Sequence, residues 1–73
     1  MQVLVVAARN LKTGQFKTGP FHMELRPATA QELAANAKAV AAAQKTTMKK
    51  FMVDEHGDLW ALPGAEIPLA HVA

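Results

Sequence analysis

The chain has no cysteine and no serine among its 73 residues. Without cysteine no disulfide can staple the fold, and zinc sites built on thiolates are excluded. The absence is compatible with a reducing cytoplasm and does not prove one. Without serine or cysteine, two common side-chain nucleophiles are missing. Lys12-Thr13-Gly14 and Lys17-Thr18-Gly19 read as turns with no helix after them, so there is no phosphate-cradling loop. His22 and Glu24 would project from one strand, and a chain this small has little room to build a pocket around them. The expectation is a non-enzyme without cofactor.

Long apolar runs are also missing. The start, MQVLVVAARN, is too short for a membrane span and has no leading cluster of positive charge. Aromatic side chains are few: Phe16, Phe21, Phe51 and Trp60. Modules that bind RNA on a sheet stack bases on exposed aromatics. With at least two of these four expected in the core, the RNA-binding signature is absent. Charged residues make up 19% and apolar residues 51%, a globular balance. The net charge of +2 and the isoelectric point near 9.3 permit an acidic partner or nucleic acid without demanding either.

What is present reads as ββ-α-ββ. Residues 2–9 are rich in valine and lack a 3.6-residue period, which predicts a strand. Asn10 to Gly14 is a turn, with Gly14 free to take positive φ. Gln15 to Arg26 predicts a second strand, and Pro20 within it predicts an edge or a bulge. Thr29 and Glu32 form a capping box that opens an Ala-rich helix ending near Gln44. Leu33, Ala37, Val40 and Gln44 fall in one stripe of that helix. The runs 49–53 and 59–62 flank Asp54-Glu55-His56-Gly57-Asp58 as a hairpin. A three-residue loop would place Met52 opposite Trp60, whereas a two-residue turn would shift the pairing by one. The expected architecture is α+β: an antiparallel sheet of about four strands with one helix packed on one face. Residues 1–73 are expected to form one small domain, with 63–73 as an irregular tail. A chain of this size buries only about 60% of its unfolded surface.

One thin helix can cover only one sheet face. Phe51, Val53, Leu59 and Ala61 would share one face of the second hairpin, and Met52 and Trp60 the other. Either the tail folds back over that other face through Ile67, Leu69 and Val72, or a partner or a second copy covers it. Trp and Met are enriched at interfaces. Arg9, Lys12 and Lys17 surround the first turn, while Lys45, Lys49 and Lys50 lie between the helix and the third strand. Both groups are ordinarily a solvated rim, yet they could converge on one end of the sheet and meet phosphates or an acidic protein surface. The expected partner-binding residues are therefore Arg9, Lys12, Lys17, Lys49, Lys50, Met52 and Trp60. Asp54, Glu55, His56 and Asp58 offer too few ligands at the required spacing for a calcium loop, so a polar hairpin tip is expected there rather than a metal site.

Three stretches span the chain: MQVLVVAARNLKTGQFKTG at the start, the Ala-rich helix, and KKFMVDEHGDLWALPG near the end. Taken together they resemble the small RNA-polymerase-binding transcription regulators of Xanthomonas-infecting phages. The likeness is one of size, layout and character, without a short motif, so it transfers no functional residue to a particular position. It implies a protein of the host bacterial cytoplasm that binds the largest subunit of RNA polymerase near the RNA exit region, inhibits initiation and promotes antitermination. A monomer is expected. The alternatives are a small basic nucleic-acid-binding module and a self-associating piece that pairs through the edge of the Gly19-Pro20 strand, although proline argues against that edge.

Overall fold

The computed structural model describes residues 1–63. The fold is α+β: four antiparallel strands, β1 (Gln2–Asn10), β2 (Phe16–Pro27), β3 (Lys50–Asp54) and β4 (Leu59–Leu62), with two short helices, α1 (Ala30–Ala35) and α2 (Ala37–Gln44), between β2 and β3. The expected packing of Ile67, Leu69 and Val72 lies outside the described residues. Among the described residues no helix is long and apolar enough to cross a membrane.

The antiparallel four-stranded sheet expected from the sequence is present, and it closes on itself. Each strand pairs with two others, and β1 meets β4 through Arg9–Ala61 and Asn10–Trp60, which closes the sheet into a barrel. Closure changes the fate of the face that was expected to lie bare. Met52 and Trp60 are 1% and 4% exposed, packed with Val5, Ala8, Leu25 and Leu62 in the barrel interior. The two faces of the second hairpin are divided as the alternation predicts. The other face holds Val53 and Leu59 against Val40 and Leu33, and Ala61 against Ala43 and Met48. What covers Met52 and Trp60 is the first hairpin, curled across them.

Pro20 marks a bulge. Val5 pairs with Phe21 and Ala7 with Thr18, so Gly19 and Pro20 together oppose Val6. The close approach fits only glycine at 19, because a Cβ there would collide with the Val5 carbonyl oxygen. β1 changes phase at the same level: Val3 and Val5 pack on the interior before it, while Ala8 and Asn10 are the buried residues after it. Val6 is left 36% exposed. A one-residue slip exchanges the two faces of a strand, and here it turns Arg9 outward.

The predicted single helix is broken at Asn36. The capping box is present: the Thr29 hydroxyl accepts from the Glu32 amide at 3.1 Å, and Glu32 accepts from the Thr29 amide at 2.9 Å. Seven residues later Asn36 leaves helical dihedrals (φ −118°, ψ 31°), and its side-chain amide donates to the Glu32 carbonyl at 2.9 Å. An asparagine that binds nearby backbone competes with the helical ladder. The second hairpin takes the three-residue loop. Met52 pairs with Trp60 and Val53 with Leu59, and Gly57 at φ 84° closes the turn.

Candidate functional site

Asn10 fixes the first turn. Its side-chain oxygen accepts from the amides of Lys12 (2.8 Å) and Thr13 (3.1 Å), and Leu11 donates to the Leu59 carbonyl at 2.9 Å. This Asx-type turn sets the strand ends that carry the basic residues. A register row runs across four strands from Phe16 to Arg9, Ala61 and Phe51. The helices cover only part of it. Ala61 is fully buried beneath Ala43 and Met48, and Phe51 is half-buried. Phe16 lies beyond that cover and is 49% exposed. The Arg9 guanidinium sits 5.5 Å from the centre of its ring, within cation–π range.

Between this row and α2 lies a cleft of about 340 Å³, with Leu11, Ala39, Ala42, Ala43 and Met48 on its walls and Arg9 at its rim. The alanines make the space, because a helix wall without bulk leaves room above the sheet.

Lys17 pairs with Ala8 and so faces the barrel mouth, where its ammonium lies 5.6 Å from the centre of the Trp60 ring. The indole N–H donates to Asp54 at 2.9 Å. Asp54 also accepts from the amides of His56 and Asp58, each at 2.9 Å. Burial pushes the Asp54 carboxyl up, but the bonds from Trp60, Asp58 and His56 outweigh it and hold the group below its ordinary value. The two aspartates of the tip do not oppose each other uncompensated. Asp58 turns to the Asn10 amide at 3.4 Å and to Lys12 at 3.8 Å. Lys12 is largely exposed, so that ion pair is weak. Among the described residues no group of three histidine or carboxylate side chains is placed to hold a metal.

The expected site residues therefore separate. Lys17 and Trp60 come together at the barrel mouth, whereas Arg9 stands on the outward face beside Phe16, with Lys12 on the turn that follows β1. Lys49 and Lys50 lie at the start of β3, beside Phe51 and two strands from Arg9, which corresponds to roughly 10 Å. Met52 and Trp60 are corrected from surface groups to core groups, since both are enclosed by the first hairpin. Sequence reasoning missed Phe16 as a surface aromatic and Leu11, Ala42 and Met48 as cleft walls. The one signal for Phe16 was its even position, out of step with the inward Phe21, Met23 and Leu25. No protein-family model matches the chain, and no curated protein or solved structure matches it either.

Proposed function

We propose that this protein is a binding regulator of transcription that docks on bacterial RNA polymerase, acting by association and not by catalysis. The partner comes from the resemblance described above. That resemblance suggests the largest subunit near the RNA exit region as the contact, with initiation inhibited and termination suppressed in the host cytoplasm. The docking chemistry is supported by one observation: Arg9, stacked on half-exposed Phe16, stands at the rim of an apolar cleft. Phenylalanine and arginine are both enriched at protein interfaces relative to the rest of the surface. Such a regulator works by binding one state of its target more tightly than another. The nucleic-acid alternative loses support because Trp60 is enclosed, which leaves Phe16 as the one largely exposed aromatic among the described residues.

Purified Xanthomonas RNA polymerase, as core and as holoenzyme, tests this reading by calorimetry. The wild-type chain is expected to bind, and Phe16→Ala and Arg9→Glu are expected to weaken binding at least tenfold while leaving the circular dichroism spectrum unchanged. If the wild-type chain gives no heat with either form of polymerase at tens of micromolar, the reading is wrong. Tight binding to duplex DNA with a steep salt slope would favour the nucleic-acid module instead.

A further inference from the structure

We infer that the cleft between α2 and the first turn is a receptor for an acidic amphipathic segment of a partner protein, which inserts an apolar side chain between Leu11 and Met48 and sets a carboxylate on Arg9. The inference deepens the reading above and rests on it only for the claim that the chain works by binding protein.

Shape comes first. The cleft of about 340 Å³ has apolar walls formed by Leu11, Ala39, Ala42, Ala43 and Met48. Ala42 and Arg9 are exposed, so the cleft opens outward and does not enclose a small molecule. An apolar side chain presented on a protruding backbone fits such an opening, in the way a helix lays anchors into a groove.

Charge selects the occupant. Arg9 is the one ionisable residue on the cleft wall, and no carboxylate lines it. Arg9 makes no ion pair among the described residues, and its guanidinium is held beside the cleft by the Phe16 ring. A guanidinium fixed in this way is poised for a two-pronged bond to a carboxylate. A basic partner segment would meet like charge at the rim, which disfavours it.

The test uses the full chain and two synthetic helices. One carries leucines on one face flanked by glutamates, and the other has every glutamate replaced by lysine. The acidic helix is expected to shift the methyl resonances of Ala42 and Met48 saturably, and the lysine version to bind at least tenfold more weakly. Ala42→Trp should fill the cleft and weaken binding at least tenfold, whereas Ala41→Trp, outside the cleft wall, should not. Should Ala42→Trp fail to fold, the methyl shifts of the wild-type chain decide. Equal affinity for both helices, or shifts confined to other residues, would overturn the inference. So would concentration-dependent shifts of the same methyls without peptide, which would assign the cleft to a second copy. Contacts between Met48 and residues 65–72 in the free chain would assign it to the chain's own end and overturn it too. Polymerase binding that survives Ala42→Trp would sink the cleft and leave the regulator reading standing. Peptide binding without polymerase binding would do the reverse.

Discussion

The Asp54 carboxylate ties the tip of the second hairpin to the barrel interior. It accepts the Trp60 indole N–H together with two backbone amides of the turn. Asp54→Asn would aim a donor or a weaker acceptor at groups that need a charged acceptor. A buried indole N–H left unsatisfied costs about 1–3 kcal/mol. The expected outcome is a loss of that size in chemical denaturation, read by tryptophan fluorescence. The pH dependence has a definite sign. The folded carboxyl sits below its ordinary value of 3.8, so its contribution is complete above that value and disappears as pH falls through the folded pKa. Thermal melts should therefore fall on acidification below about pH 4, and less steeply in Asp54→Asn. Two glycines offer a second test. Gly57 has φ 84° with open space around it, so Gly57→Ala should cost about 1–2 kcal/mol for the left-handed backbone alone. Gly19→Ala would drive a Cβ into the Val5 carbonyl and to 2.7 Å from the Phe21 amide, so it should cost more than Gly57→Ala in the same assay.

At the scale of elements, the helical segment depends on its two ends. Arg26 grips Glu32 with a two-pronged bond at 2.8 and 2.7 Å, which joins α1 to the end of β2. The Arg26 guanidinium, with the Thr29 amide, lowers the Glu32 carboxyl from 4.5 to about 2. Its contribution is therefore full above about pH 4.5 and is lost as pH drops toward 2. The far-UV helical signal should fade over that interval in the wild-type chain, and Glu32→Gln should flatten the dependence. Asn36→Ala should join α1 to α2 and raise the helical signal, because alanine removes the competing side-chain amide and has the best helix propensity. An unchanged spectrum would mean that packing beneath Val40 and Ala43 imposes the break. The strands were readable to within about two residues, and so was the capping box, because each rests on local chemistry. The break at Asn36 was not, since an asparagine in an alanine run is usually tolerated and only its captured carbonyl reveals the interruption.

At the scale of the whole molecule, the interior rests on few side chains. A domain of this length has roughly 4–11 kcal/mol of stability. Truncating a core Leu or Trp removes about 2–5 kcal/mol. Leu25→Ala and Trp60→Ala should therefore each remove a large share of that stability, visible as an earlier thermal melt. Trp60→Ala consequently measures the fold and cannot serve as a binding probe. Arg9, Phe16 and Ala42 are the positions that report binding. The candidate site was only partly legible. Arg9 and Lys17 stood out as cations near a turn, but their directions depend on the bulge opposite Val6. The cleft could not be read at all, because it is a gap between Leu11 and Ala42, which lie 31 positions apart in the chain.

By itself the sequence determined the elements and the hairpin faces: valine-rich and alternating runs, Gly57 in its turn, and Thr29 with Glu32 at the helix start. These follow from dihedral preference and from hydrogen bonds between near neighbours. Only the tertiary structure decided that the sheet closes, that Met52 and Trp60 turn inward, and that Arg9 faces out beside Phe16. Closure depends on pairing Asn10 with Trp60, which lie 50 positions apart in the chain, and no local preference encodes a contact at that distance.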